Sequence, residues 1–347
     1  MEGTLRTRAR IAAPALLPKV DLDRLAAWLL AFAPTVYLAL SGGGYDIVAR
    51  SQIGLVLWWI VLLGAIVGLL PRRRLTVAGW IAAALLGAFL VLTWIAVGWS
   101  QSDERTLIEV GRVSAYLALL TGGLCLVTGR NARSVLNGLG AAITLVCALA
   151  VLSKLIPSLF PGDTAASFYA TMRLRYPFDY SDGVGEFAAL GVPLLLGTAV
   201  GGRALAGRAL GVAGLPAVGL CVAMTVSRGG ILAVAVGLIF FFTLVRQSFA
   251  ALLACAIAAA ATSVELAVLL GHPGLRDQLN AAAPAGDRHV MLLVFVLACL
   301  LSGVAYGGLL ALAGRRKRSR RAEILSSRGG PLFRGVVVAT VVIGVSI

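Results

Sequence analysis

About eleven apolar blocks follow one another along the chain, and most are long enough to cross a bilayer as a helix, which takes roughly 20 apolar residues. Charged residues make up only 13% of the chain, and the mean hydropathy is +0.94. A soluble domain carries about 25% charged residues, and its core could not enclose this much apolar surface. The pattern therefore predicts an integral membrane protein with many spans.

The blocks are predicted to be helices, because a helix satisfies its own backbone hydrogen bonds within lipid. The fold class is therefore all-α, a polytopic transmembrane helical bundle of about 11 spans. We predict spans over residues 25–40, 52–70, 76–97, 113–127, 138–155, 184–200, 209–226, 231–245, 249–270, 289–313 and 335–347.

The distribution of charge predicts the orientation of the bundle. About two thirds of the 30 Lys and Arg residues fall into loops on the side of the N-terminus, which the positive-inside rule places in the cytoplasm. The net charge of +15 follows from this rule and does not indicate a nucleic-acid partner. Residues 1–24 are then a cytoplasmic tail and 25–347 the membrane domain, with an outer loop at 156–183 and a basic cytoplasmic loop at 314–334.

The last block, 335–347, would span only about 20 Å as a helix and ends with neither a charged nor an aromatic anchor. We expect the membrane domain to be C-terminally incomplete. The alternative is a short buried or re-entrant segment.

Motifs of soluble enzymes are absent from the sequence, including GxxxxGK[ST], HExxH and CxxC. The five cysteines lie inside apolar blocks without metal-ligand spacing. Both histidines, His272 and His289, are expected at the membrane interface. We therefore predict no metal and no cofactor.

The stretch 209–245 is too long for one span and contains Ser227, Arg228, Gly229 and Gly230, so we predict two helices joined by a tight turn. The two glycines can take the positive φ angles of such a turn. Arg228 would then lie at the outer edge, since an Arg at the bilayer centre costs roughly 2.5–3.5 kcal/mol. There it binds a partner anion or extends to lipid phosphate.

The outer loop 156–183 is rich in aromatic residues and also carries charged side chains. The candidate binding residues in it are Arg173, Arg175, Tyr176, Tyr180 and Asp182. Aromatic faces beside guanidinium and carboxylate groups suit sugar rings and phosphates, and they equally suit a membrane-interface belt. The loop alone leaves both interpretations open.

Structural roles suffice for the remaining outer features. Glu109 and Arg112 are spaced i,i+3 at the start of the fourth span, as in a helical ion pair. Glu265 lies near the outer end of its span and is expected to be an interface carboxylate.

Taken in order, three segments resemble the O-antigen ligase-like family, the O-antigen ligase and polymerase group of bacterial inner-membrane proteins. They are WSQSDERTLIEVGR at 99–112, RLRYPFDYSDGVGEFAALGVPLLL at 173–196, and SRGG at 227–230 between two apolar blocks. The resemblance implies a bundle of about twelve helices that acts in polysaccharide biosynthesis for the cell envelope. It would move a glycan from undecaprenyl diphosphate to a hydroxyl of a lipid or glycan acceptor at the outer face.

The resemblance also implies roles for single residues. Arg228 matches the Arg of an SRG motif and Arg173 that of an RLxYP element, so both, with the neighbouring Arg175, are expected to bind the donor diphosphate. Tyr176 and Tyr180 are expected to contact the glycan.

Two departures from the family pattern matter for function. Asp182, also a candidate glycan contact, stands where many relatives have Asn. The family's catalytic His lies in a late outer loop that would follow Ile347, so the catalytic residue of this chain is unknown and residues 1–347 alone are expected to be inactive.

Two other function classes fit the same sequence. A small-solute or bicarbonate transporter would place ionisable residues near the bilayer midplane and interrupt paired helices there. Here the ionisable residues are predicted at the outer face, and only Pro34, Pro193 and Pro216 interrupt spans. The third class is a non-catalytic membrane component of polysaccharide assembly.

Overall fold

The computed structural model describes residues 21–67, 76–160, 173–245, 248–272, 275 and 285–316. Within these residues the chain is an all-α bundle without strands, which confirms the predicted fold class. Its α-helices are α1 (Leu22–Leu40), α2 (Ile47–Ile66), α3 (Val77–Ile95), α4 (Asp103–Leu126), α5 (Ala132–Leu155), α6 (Ser181–Gly201), α7 (Leu205–Thr225), α8 (Arg228–Leu244), α9 (Ser248–Gly271) and α10 (Ala285–Arg316).

Each of the first ten predicted spans corresponds to one of these helices. The largest difference is at α4, which begins at Asp103 rather than at residue 113. Asp103 and Glu104 lie in its first turn, where their negative charges interact favourably with the positive end of the helix dipole. The helix therefore starts outside the apolar block. The predicted span 335–347 and most of the loop 314–334 lie outside the described residues.

Side-chain caps begin several helices where the sequence places Asp, Thr or Ser before an apolar block. The Asp46 carboxylate accepts a hydrogen bond from the backbone N–H of Val48 at 3.0 Å at the start of α2. Thr76 Oγ1 accepts one from Gly79 at 3.1 Å at the start of α3. Each cap satisfies an N–H group that has no partner within its helix.

The core lies among α5, α6, α7, α9 and α10, while α1 packs on α5, α2 and α3 pack on α4, and α8 packs on α6. The large side chains of α3 face away from the bundle: Trp80 is 62% exposed and Trp94 61%. Exposing so large an apolar surface is unfavourable in water, whereas contact with lipid tolerates it. Nine of the helices in the described residues are long and apolar enough to cross a membrane. The chain is a multi-pass membrane protein.

One end of the bundle carries the predicted site residues. At this end α1, α5 and α7 finish and α2, α6 and α8 begin. It is the end that the charge distribution predicts to face outside, and we call it the outer end.

Candidate functional site

The turn between α7 and α8 is as tight as predicted, since only Val226 and Ser227 join the two helices. Val226 has φ 50° and ψ 35°, a left-handed conformation that β-branched residues rarely adopt. Ser227 is fully buried, and its Oγ accepts a hydrogen bond from the backbone N–H of Gly230 at 3.1 Å. This bond caps the start of α8 and leaves Arg228 exposed at its first position.

The predicted role of the two glycines was wrong. Gly229 and Gly230 do not take positive φ angles but lie in the first turn of α8. A Cβ on Gly230 would lie 3.0 Å from the backbone carbon of Gly185 in α6, and a Cβ on Gly185 would lie 2.9 Å from Ser227 Cβ. The glycines are therefore needed for the close crossing of α6 and α8, as small residues are in membrane bundles.

Replacing Gly230 by Ala is expected to lower the melting temperature of the detergent-solubilised protein, because the new methyl group must displace the backbone of α6. Overpacking of this kind typically costs about 1–3 kcal/mol. Gly237→Ala in the same helix is the control, since a Cβ there meets no atom nearer than 3.8 Å. Equal melting temperatures for the two variants would contradict the close crossing.

The segment that begins at Arg173 is bound directly to this turn. The backbone N–H of Leu174 donates to the Met224 carbonyl at 2.9 Å. Arg173 Nε donates to the Thr225 carbonyl at 2.8 Å, and Nη2 donates to the Val226 carbonyl at 3.3 Å. Two motifs far apart in the sequence therefore meet at the outer end.

Arg173 also forms an ion pair with Asp182 in the first turn of α6. Its Nη2 donates to Asp182 Oδ1, so Nε and Nη2 are both engaged within the protein. Asp182 also lies beside the Ser227 hydroxyl. These contacts fix the orientation of the Arg173 guanidinium and give Asp182 a positioning role.

Two cationic groups at this turn retain hydrogen-bond donors for a ligand. Arg173 is 39% exposed, and no described residue accepts a bond from its Nη1. Arg228 is exposed and forms no ion pair within the part of the chain that the structure describes. Because Val226 and Arg228 are two residues apart, their Cα atoms lie within about 7 Å of each other. Arg173 therefore contacts the turn that Arg228 directly follows.

Two helix N-termini add to the positive potential at this place. α6 begins at Ser181 and α8 at Arg228, and the two helices touch through Gly185 and Gly230. Helix N-termini attract anions through their free N–H groups and their dipoles. The Glu186 carboxylate lies over the first turn of α8, with Oε1 3.2 Å from the position of a Gly229 Cβ. The two helix N-termini therefore offer N–H donors to an anion, and the Glu186 carboxylate lies beside the N-terminus of α8.

The other predicted loop residues differ in how deeply they are buried. Tyr176 packs edge-on against Phe160, with ring centroids 5.3 Å apart. Partial burial raises the pKa of the Tyr176 phenol, so its hydroxyl stays protonated at neutral pH. Tyr180 immediately precedes α6 and is 52% exposed. Arg175 is half-buried and lies within electrostatic range of Lys154 on α5, and its side chain forms no hydrogen bond or ion pair with the turn among the described residues.

Sequence reasoning missed the contact that holds this loop to α1 and α2. A Cβ on Gly43 would lie 2.9 Å from the Phe178 ring, so the glycine turn 42–44 forms the surface on which Phe178 packs. Phe178 also packs edge-on against Phe187 of α6 at 5.1 Å. All three glycines of this turn have positive φ angles. Three consecutive glycines between two spans were the signal that could have indicated it.

Of the remaining outer features, the Glu109–Arg112 pair is confirmed, with Arg112 Nε 2.7 Å from Glu109 Oε2. An open pocket of about 540 Å³ lies beside it and is lined by residues of 93–109, so it contains none of the predicted site residues. His272 Nδ1 lies 2.8 Å from the Val268 carbonyl. Glu265 is not at the interface, because its side chain is fully buried.

Comparison of the chain with protein-family models, curated proteins and solved structures finds no match. The resemblance to the O-antigen ligase-like family therefore stays a prediction that rests on the three segments and their order. Among the described residues, no group of three or more His, Cys, Asp or Glu side chains could hold a metal ion.

Proposed function

We propose that this chain is a membrane glycan transferase of the O-antigen ligase or polymerase type. It would take a glycan from an undecaprenyl-diphosphate donor and pass it to an acceptor hydroxyl at the outer face of the bacterial inner membrane. One observation carries this proposal: Arg173 donates to the carbonyl of Thr225, 52 residues away at the end of α7 and three residues before Arg228. Arg173 thus contacts the turn that Arg228 directly follows, and the resemblance assigns both residues to the diphosphate.

The chemistry of the proposed reaction requires positive charge at the leaving group. The acceptor oxygen forms a bond with the anomeric carbon, and the bond between that carbon and the diphosphate oxygen breaks. The leaving diphosphate keeps the electron pair and so gains negative charge. Arg173 and Arg228 stabilise this charge, and the fixed orientation of Arg173 means that little reorganisation accompanies the reaction.

The proton of the acceptor hydroxyl must pass to a base. The resemblance assigns this role to a His in a late outer loop, and we assign it to neither His272 nor His289. The proposal therefore concerns the donor half of the site, where Tyr176, Tyr180 and Asp182 stay predicted glycan contacts.

Deletion of the gene in the native host tests the function whichever glycan is transferred. We expect undecaprenyl-diphosphate-linked glycan to accumulate and one surface polysaccharide to be lost or shortened, and the full-length gene should restore both. The lipid-linked pool is measured by mass spectrometry of extracted lipids. An unchanged pool together with an unchanged surface glycan profile would contradict the proposal.

A small-solute transporter is the second candidate, and Glu265 is the observation that favours it. An ionisable residue inside a membrane bundle often marks a transport path. In that case the deletion strain would keep its surface glycans and lose uptake of one solute. The deletion experiment thus distinguishes the two functions.

A further inference from the structure

Glu265 is an acidic side chain enclosed by the membrane bundle. Its relative exposure is 0%, and both carboxyl oxygens are buried without a hydrogen-bond partner among the described residues. It lies six positions before Gly271, where α9 ends, which is about 9 Å along the helix axis. The carboxyl group is therefore below the outer end of the bundle and shielded from lipid.

Glu265 forms no ion pair among the described residues, and the cationic side chains of α10 nearest its outer end are Arg288 and His289. α9 packs against α6, α7 and α10, and Cys299 of α10 lies within electrostatic range of Glu265. The other titratable groups that α7 and α10 bury are Cys221 and Tyr306. α6 carries its carboxylates only in its first two turns, at the outer end.

Other buried polar side chains of the same helices have partners. Ser302 Oγ donates to the Cys299 carbonyl at 3.0 Å, and the Tyr306 hydroxyl donates to the Ala199 carbonyl at 3.2 Å. Satisfied groups of this kind are the rule in protein interiors. Glu265 has no such partner among the described residues. A buried ionisable group in a membrane bundle that lacks a partner points to function.

The chemistry of the surroundings selects the occupant of this site. An ionised carboxylate without a partner is far more costly to bury than a neutral acid. A metal cation would need several oxygen ligands, and no group of His, Cys, Asp or Glu in the described residues provides them. A proton needs only the carboxylate itself.

We propose that Glu265 is a proton-binding site inside the bundle, which holds one proton as a neutral carboxylic acid and exchanges it with water at the outer end. Proton binding converts the carboxylate to the acid and requires no other reactant. The proposal does not depend on glycan transfer, because it rests on the burial of Glu265 in α9, a helix that packs against α6, α7 and α10.

Infrared spectroscopy of the full chain in lipid nanodiscs at neutral pH tests this site. We expect a carbonyl stretching band of a weakly hydrogen-bonded carboxylic acid in the wild-type protein. Glu265→Gln should remove the band, and Glu265→Asp should shift it while keeping it. Glu104→Gln is the matched control, since Glu104 is exposed on α4 and its loss should leave the band unchanged.

Transfer of the sample to D₂O tests the exchange. We expect the band to move to lower frequency within hours, which shows that the proton is exchanged with water. A spectrum without a band that depends on Glu265 would overturn the proposal, and so would a band that never moves in D₂O. If Glu265→Gln does not fold, the shift in Glu265→Asp identifies the band instead.

Discussion

Replacing Arg228 by Ala in the native protein is expected to lower the rate of glycan transfer by about 10²-fold or more while expression is unchanged. The side chain is exposed at the first position of α8 and forms no ion pair within the described part of the chain, so its loss leaves the fold intact. According to the proposed function, the variant loses a cation at the leaving diphosphate. The rate is measured with lipid-linked glycan and acceptor in membranes of the deletion strain.

Two further variants separate diphosphate binding from an effect of charge at the membrane surface. Arg228→Lys keeps the charge but not the bidentate geometry of the guanidinium, so only partial activity should return. Arg105→Ala removes an exposed Arg from the start of α4 and should transfer glycan at the wild-type rate. If Arg228→Ala and Arg105→Ala both transfer at the wild-type rate, Arg228 only contacts lipid phosphate and the diphosphate role is wrong.

Replacing Arg173 by Ala is expected to reduce glycan transfer by a similar factor and, unlike Arg228→Ala, to lower the melting temperature. Arg173 donates to the carbonyls of Thr225 and Val226, and the Thr225 residue is fully buried. Leaving a buried acceptor without its donor costs about 1–3 kcal/mol. Thermal unfolding in detergent and the transfer assay together measure the two effects.

A variant of Asp182, compared with Arg173→Ala, tests how Arg173 acts. Asp182→Asn keeps the shape of the side chain but weakens the ion pair that orients the guanidinium. We expect a several-fold loss of transfer, smaller than that of Arg173→Ala, because the two carbonyl contacts remain. If Arg173→Ala has the melting temperature and the transfer rate of the wild-type protein, the segment 173–180 does not bind the turn between α7 and α8.

The positions of the helices could be predicted from the sequence because lipid leaves the backbone few alternatives. Each apolar block must satisfy its hydrogen bonds internally, so block length and loop charge predict the spans. The ends were less predictable. α4 extends outward to Asp103 because the polar turns beyond the apolar block are stabilised by acidic residues and by the Glu109–Arg112 pair.

The tight turn before Arg228 could also be predicted, but the conformation within it could not. Turn rules assign positive φ angles to Gly229 and Gly230, whereas Val226 takes the left-handed conformation. The reason is tertiary: the glycines are needed where α8 crosses Gly185 of α6. A contact between helices that are distant in sequence leaves no trace in local propensity.

The burial of Glu265 was missed for a related reason. Hydropathy finds a span but does not tell which face of the helix points into the bundle. Because Glu265 lies near the end of a predicted span, we expected it at the membrane interface. In the structure α9 packs against α7 and α10, and the Glu265 side chain is buried. The orientation of a helix about its axis depends on the neighbours that the bundle assembles around it.

Native mass spectrometry of the full-length protein with added lipids tests the central claim most directly, namely that the turn at Arg228 and the segment at Arg173 form a diphosphate site. We predict that the wild-type protein binds undecaprenyl diphosphate about tenfold or more tightly than undecaprenyl monophosphate, and that Arg228→Ala loses this preference. Equal binding of the two lipids by the wild-type protein, or an unchanged preference in Arg228→Ala, would contradict the claim.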